Sequence, residues 1–311
     1  MHCKTLKTNF VMRKLFLLST MLLVAFVCDA QTKVTPKLQK GDCKVYVTES
    51  TINMPGRKEL LVKTEASLSV VDKNADGFVL DSEILTVESD ADSTDFVNRL
   101  TVASQQALKS IHCLVQTDNE GKALSIKNYD ELKGKMQETV VMLIDALVAQ
   151  NPQVTNILSK EVLVNQVMGN INEDMVLNSM KNATSPLALC GMTITTGAED
   201  EYVNEMGMKM KRSYTVGDDG TITTISTMSM NKDDMKKLIV DQVAKLLPQQ
   251  ADMIKDNIDM VMQSGLLKME ATEKAVYTLQ PDGWVKSIKI EANRNFMQQK
   301  ISQTTTVTLK Q

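Results

Sequence analysis

Histidine, cysteine and aromatic residues are scarce in this chain of 311 residues. It has two histidines and five cysteines, and aromatic side chains make up 4% of it. The patterns GxSxG, HExxH and CxxC do not occur, and there is no glycine-rich phosphate loop. The sequence therefore predicts no catalytic residue and no cofactor. A hydrolase that relies on paired carboxylates is kept as a third hypothesis.

One histidine lies beyond residue 30. His112 is adjacent to Cys113 in HCLVQT, a segment with the composition of a strand. Successive strand residues face opposite sides, so the two side chains are badly placed to act as nucleophile and base. We predict a structural histidine and a buried thiol.

The first thirty residues have the three-part pattern of a secretory signal peptide. Basic residues precede an apolar run from Leu15 to Val27, and small side chains at Cys28 and Ala30 suit the cleavage site. We predict that residues 1–30 are a signal peptide and that the mature protein is periplasmic or secreted.

Two alternatives to this export signal stay open. Met12 heads a more compact signal sequence and is an alternative start to Met1. Cleavage before Cys28, followed by its acylation, would make the protein an anchored lipoprotein. No later apolar run is as long, so no transmembrane segment is predicted in the mature chain.

Charge and cysteine content restrict the partners and the chemistry of the mature chain. Beyond residue 30 there are 31 Lys and Arg against 37 Asp and Glu, without a basic stripe, so nucleic acid is not a predicted partner. The remaining cysteines are Cys43, Cys113 and Cys190. One disulfide with one thiol and three thiols are both compatible with this odd number.

Four short acidic turns that end in glycine divide the chain. They are NADG at 74–77, DNEG at 118–121, GDDG at 217–220 and PDG at 281–283. Such pairs favour tight hairpins because glycine accepts a positive backbone φ. Segments of period two flank them; in VKTEASLSV, alternate residues from Val62 to Val70 are mainly apolar.

The first turn also resembles a calcium loop. DKNADGFVLDSE has the spacing of an EF-hand, with Asp72, Asn74, Asp76 and Glu83 as the alternative calcium ligands. An EF-hand needs a helix on each side, whereas both flanks here read as strand, and Leu80 supplies no side-chain ligand. We therefore predict a hairpin, with no metal as the main prediction.

The spacing of apolar residues changes from that of a strand to that of a helix between the second and third turns. YDELKGKMQETVVMLIDALVAQ, at 129–150, spaces its apolar residues by three and four. Further helices are predicted at 153–168, at 173–182 and over 232–263, with a break at Pro248. The predicted fold class is α+β: a large curved antiparallel β-sheet built from hairpins, with helices at about 129–182 and 232–263 packed against one face. Residues 31–311 are expected to form a single domain with a helical insertion at about 129–182.

Methionine is unusually abundant in this chain. Three methionines alternate in EMGMKMKRS and two more follow the GDDG turn, giving the candidate ligand-binding set Met206, Met208, Met210, Met228 and Met230. Thioethers suit Cu(I), but no histidine or cysteine is near in sequence to complete a copper site. A core filler or an adaptable apolar surface is the favoured interpretation.

A resemblance to a group of secreted proteins rests on three segments: KGDCKVYV, VVDKNADGFVLDSEIL and YTLQPDGWVKSIKIEA. With the signal peptide, this layout resembles uncharacterised secreted β-rich proteins of Bacteroidota. Their architecture is similar to periplasmic lipoprotein carriers of the LolA and LolB type, in which a curved sheet wraps helices. No functional motif of those carriers is matched, so no site residue is carried over.

The function predicted from these features is non-enzymatic. The main hypothesis is a secreted or periplasmic binding protein of the cell envelope that holds an apolar ligand or lipid. The alternative is a structural or protein-interaction protein whose helices complete the core. A cavity between the sheet and its helices would favour the first hypothesis.

Overall fold

The computed structural model describes residues 31–91, 96–150, 152–153, 159–204, 208–246, 251–263, 269–296 and 299–310. The predicted signal peptide, Met206 and Pro248 lie outside the described residues. The strands are β1 (Gln31–Lys33), β2 (Cys43–Asn53), β3 (Leu60–Lys73), β4 (Phe78–Ser89), β5 (Cys113–Thr117), β6 (Ala123–Ile126), β7 (Thr193–Thr195), β8 (Glu199–Val203), β9 (Lys209–Val216), β10 (Ile222–Met228), β11 (Met269–Leu279), β12 (Val285–Phe296) and β13 (Gln299–Leu309). The helices are α1 (Phe96–Ala107), α2 (Tyr129–Gln150), α3 (Lys160–Asn170), α4 (Glu173–Ser179), α5 (Lys232–Leu246) and α6 (Ala251–Gln263).

Eleven strands form one antiparallel sheet. Their order is β6-β5-β4-β3-β2-β13-β12-β11-β10-β9-β8, and β1 and β7 form a separate two-stranded ribbon. Neighbours in the sheet are mostly neighbours along the chain, as expected where strands return through tight turns. The exception is the central pair of β2 and β13. The predicted α+β class with a large antiparallel sheet is confirmed.

All four predicted glycine turns are hairpins. Gly77 joins β3 to β4, Gly121 joins β5 to β6, Gly220 joins β9 to β10 and Gly283 joins β11 to β12. Each has a positive φ, from 77° at Gly220 to 144° at Gly77. The acidic residues before them accept backbone hydrogen bonds, as Asp118 does from the amides of Glu120 and Lys122.

One face of the sheet, here called the inner face, carries the core. Alternate residues on each strand point to it, so cross-strand partners form rows. One row joins Val70, Leu80, Val115 and Ile126; a second joins Val307, Ile288, Tyr277 and Ile222. Every member of both rows is buried.

The two edges of the sheet lie near each other. Ala123 of the edge strand β6 and Tyr202 of the opposite edge strand β8 line the same cavity, of about 510 Å³. Apolar side chains of the intervening segment, Met180, Leu187 and Ala188, line it as well. The sheet therefore curls around its inner face, and this segment lies between its edges. We call this space the edge cavity.

The helices contribute unequally to the core. Leu132 of α2 packs with sheet residues such as Leu80, whereas Val140 and Ile144 pack with residues of α3. Within the described residues, α5 and α6 pack mainly on each other. Among the described residues, no helix is both long and apolar enough to span a bilayer.

The predicted helices differ from the observed ones at their ends, and one was missed. Within the described residues, the helix predicted at 153–168 is observed as α3 from Lys160, where Ser159 caps it by accepting from the amide of Val162. Residues 154–158 of that prediction lie outside the described residues. The helix predicted at 173–182 ends at Ser179. Helix α1 was not predicted; its Val97, Thr101 and Val102 are β-branched residues, which have low helix propensity.

Replacement of Gly77 by alanine tests the first hairpin. A Cβ at Gly77 would lie 2.2 Å from the backbone oxygen of Thr117 on the neighbouring turn, at a φ of 144°. We expect Gly77→Ala to lower the free energy of unfolding by about 2 kcal/mol or more, measured by urea denaturation.

Gly134→Ala is the matched control. Gly134 lies on an exposed face of α2, and a Cβ there meets nothing within 4 Å. This variant should gain up to about 1 kcal/mol from helix propensity. An equal effect of the two substitutions would contradict the close approach at Gly77.

Candidate functional site

Four of the five candidate methionines come together at one end of the inner face. Met210 of β9 and Met228 of β10 are direct cross-strand partners, and Met208 and Met230 pack beside them. Met208 and Met210 are each 4% exposed. The methionine cluster is completed by Tyr202, Leu238, Met269 and Ala271.

Those last four residues were not among the predicted site residues. Met269 and Ala271 belong to β11, Tyr202 to the edge strand β8 and Leu238 to α5. Alternation along β11 places Met269, Ala271 and Ala275 on one face, which is a readable signal. The pairing of β10 with β11 crosses a helical connection of about forty residues, and no local pattern indicates that contact.

The chemistry of the methionine cluster is apolar. Thioethers are joined there by alanine, leucine and tyrosine, without histidine or cysteine. In the part of the chain that the structure describes, no three His, Cys, Asp or Glu side chains lie close enough to hold a metal ion. Methionine adapts its shape through three rotatable bonds, so this wall can repack around an apolar group.

A cavity of about 190 Å³, here called the inner cleft, adjoins the methionine cluster. Met210, Ala271 and Tyr202 form its apolar side. Its polar side consists of amide, hydroxyl and charged side chains: Asn182, Thr184, Asn204, Thr272, Glu273, Arg294 and Gln303. The inner cleft is therefore lined mainly by polar groups and has an adaptable apolar wall on one side.

An ion pair between the buried Arg212 and the partly exposed Asp200 lines the edge cavity. Arg212 donates from Nε to Asp200 Oδ1 at 3.0 Å and from its terminal nitrogen to Oδ2 at 2.7 Å. Its guanidinium stacks near the rings of Tyr202 and Tyr214, 4.9 and 5.2 Å from their centroids. Although burial lowers the pKa of Arg212, the hydrogen bonds to Asp200 raise it above its ordinary value. The pair joins β8 to β9 across their direct register.

Tyr202 connects the inner cleft with the edge cavity, because it lines both. The edge cavity is the larger and has charged residues at its rim, among them Lys122, Lys181 and Glu201. Met180, Met192 and Leu187 contribute apolar surface. A polar rim around flexible apolar side chains suits an amphipathic ligand.

The loop with calcium spacing is a hairpin. Asn74 Oδ1 accepts from the amides of Asp76 and Gly77, and Asn74 Nδ2 donates to Gln116 at 2.8 Å. Lys40 Nζ donates to Asp72 Oδ1 at 2.8 Å. This hydrogen bond, together with the charge of Lys40, lowers the pKa of Asp72. The side chains of Asn74 and Asp72 are therefore engaged by the protein itself.

The sheet register separates the fourth calcium candidate from the rest. Asp72 is paired with Val79 across the hairpin, while Glu83 lies four residues further along β4, opposite Ser67. Four strand residues span about 13 Å, far more than a shared ion allows. Asp72, Asn74 and Asp76 are thus brought to one turn, and Glu83 is not.

His112 and Cys113 do not face each other. His112 Nδ1 lies 2.8 Å from Asp81 Oδ2 at an exposed position, and this contact raises the pKa of the histidine. Cys113 is buried on the inner face in contact with the core. Cys113 is buried as predicted, whereas the structural role of His112 stays a prediction.

All three described cysteines are free thiols. Cys43 is exposed, and Cys113 and Cys190 are buried. Burial raises the pKa of Cys113 to about 11 and that of Cys190 to about 12. Of the two alternatives left open by the sequence, the described structure has three thiols.

Comparisons with known proteins give a distant likeness at the level of structure. No family model matches the sequence, and no curated protein matches it. Among solved structures, the chain is similar to a lipovitellin structure described as "Lipid-protein interactions in lipovitellin", with 12% identity and a TM-score of 0.40. The match covers 88% of this chain and 26% of that chain. This chain therefore spans about a quarter of the length of that protein.

Thiol labelling of the native protein should separate the three cysteines. The thiolate reacts, so exposed Cys43 should be alkylated by iodoacetamide at pH 8 much faster than the two buried thiols. Peptide mass spectrometry gives the extent of alkylation at each cysteine. Labelling in urea, where all three should react, is the control, and equal rates in the native protein would contradict the burial.

The ion pair of Arg212 with Asp200 predicts that removal of the Asp200 charge destabilises the fold. Asp200→Asn leaves the charge of Arg212 without its counter-ion, so we expect a loss of about 2–3 kcal/mol in the free energy of unfolding. Glu199→Gln, on the same strand, removes the exposed pair with Lys211 and should cost less than about 1 kcal/mol. Urea denaturation of both variants measures the difference, and similar losses would contradict the assigned role.

Proposed function

We propose that this protein is a non-enzymatic binding protein of the cell envelope that holds an apolar or lipid ligand. The observation that carries the proposal is the methionine cluster beside the inner cleft. An apolar wall of thioethers next to a cavity suits a ligand of variable shape better than a fixed substrate. Export through residues 1–30 belongs to the proposal and agrees with the predicted signal peptide.

In this proposal, helix α5 acts as a cover over the methionine cluster. Leu238 of α5 packs on the cluster, and Lys209 of β9 is tied to Asp234 of α5 by an exposed ion pair of 3.1 Å. Both interactions are weak compared with a continuous core. A ligand chain can therefore take the place of Leu238 at a modest cost and gain contact with Met210 and Met228.

The alternative is a structural or protein-interaction protein. One observation favours it: Met208 and Met210 are already buried, so the cluster is closed without a ligand. In that case the thioethers are ordinary core residues and function lies on the outer surface. The third hypothesis, a hydrolase, gains no support from His112, because the adjacent Cys113 is buried and its pKa is raised to about 11.

An uncharged fluorescent probe, N-phenylnaphthylamine, tests the first proposal. We expect the purified protein to bind it with an increase in fluorescence and Met210→Gln to weaken binding about tenfold, because an amide replaces apolar wall. Met260→Gln is the matched control, since Met260 of α6 is 70% exposed, and should bind like the wild type. Thermal unfolding of each variant checks that it is folded.

Native mass spectrometry of protein purified from its own host gives an independent result. A co-purifying lipid supports the binding proposal, and Leu238→Ala should speed uptake of the probe by loosening the cover. A clean apo mass together with no probe binding by the wild type would overturn the proposal in favour of the structural alternative.

A further inference from the structure

Arg294 is a cationic side chain on the inner face of the sheet. It lies on β12, two residues beyond the buried Ala292 and four beyond Ile290, so alternation turns it to the inner face. Its direct partner on β11 is Ala271 of the methionine cluster. Arg294, Ala271 and Met210 all line the inner cleft.

Arg294 shares the inner cleft with the carboxylate of Glu273 but makes no ion pair with a described residue. Its guanidinium donates one long hydrogen bond, 3.4 Å, to Gln303 Oε1, and no described carboxylate lies within ion-pairing distance. Arg212, on the same face, has both oxygens of Asp200. A half-buried guanidinium without a counter-ion is costly unless an anion or water satisfies it.

The surroundings of Arg294 supply further polar contacts. Gln303 is held by donating from Nε2 to Thr305 Oγ1 at 3.1 Å, which directs its oxygen towards Arg294. Asn182 and Asn204 contribute amides to the same cleft. Glu273 also lines it and takes part in an interaction of its own. The negative charge of Glu273 favours a singly charged anion over a doubly charged one.

We infer that Arg294 binds the carboxylate head group of a long-chain fatty acid, or of a similar monocarboxylate amphiphile, whose chain lies along the methionine cluster. The inference rests on the proposed function and adds the class of ligand. A planar guanidinium matches a carboxylate in a two-point contact. A space of about 190 Å³ has room for such a head group and the start of its chain.

The inference is tested by displacing N-phenylnaphthylamine with three competitors that share one chain length and differ in their head group. The competitors are palmitate, hexadecanol and hexadecyl phosphate, used below their aggregation concentrations. Wild-type protein should bind palmitate about tenfold or more tightly than hexadecanol, as a charge-assisted hydrogen bond requires. Hexadecyl phosphate near pH 8, where it is mainly a dianion, should bind more weakly than palmitate.

Substitutions at Arg294 locate the effect. Arg294→Gln should remove the preference for palmitate over hexadecanol, with both affinities measured by displacing the probe from the same variant. Arg294→Lys keeps the positive charge but loses the two-point contact of the guanidinium, so part of the preference for palmitate should remain. Lys289→Gln removes a cation from the exposed face of the same strand and should change nothing.

The outcomes separate this inference from the proposed function. Equal binding of palmitate and hexadecanol by a wild-type protein that binds the probe would overturn the role of Arg294 and leave the apolar site intact. Tighter binding of hexadecyl phosphate would overturn the choice of a monocarboxylate. Absence of probe binding would overturn both the site and the inference.

Discussion

The inner face of the sheet is the constraint on which the rest of the structure depends. Eleven antiparallel strands turn one row of side chains after another towards the same side, and a twisted sheet of this width curls rather than lying flat. The curled face must be covered because its apolar rows cannot stay in water. Helix α2, the segment between α4 and β7, and Leu238 of α5 each cover a different part of it.

The cover is uneven, and this unevenness creates the candidate site. Along the strands, the row of Ile288 and Tyr277 is mainly apolar and the row of Ala275 and Thr224 is mixed. Arg212 and Glu273 belong to the next row. The methionine cluster follows beyond them. A polar band thus separates two apolar regions of one face, and a molecule that bridges such a band needs both a chain and a charged or polar group.

Local patterns predicted the frame of this protein better than its contacts. The four glycine turns and the period-two segments were sufficient for an antiparallel sheet, because hairpin geometry is encoded within a few residues. The partnership of β2 with β13 and the meeting of β6 with β8 depend on distant segments and were not predicted. Arg294 was missed for the same reason: its significance comes from Ala271 and Gln303, which belong to other strands. Helix α1 was missed because its β-branched residues weaken the helical pattern.

The central pairing of β2 with β13 has a consequence for the order of assembly. Strands β2 to β6 and β8 to β13 are two separate antiparallel runs, in which each strand pairs with its neighbour along the chain. The two runs become one sheet when β13, the last strand along the chain, reaches β2, more than two hundred residues away. Until then both halves expose a long unpaired edge, the kind of surface that pairs with other chains. The protein is therefore most exposed to aggregation late in folding, when both runs of strands have formed and β2 has not yet paired with β13.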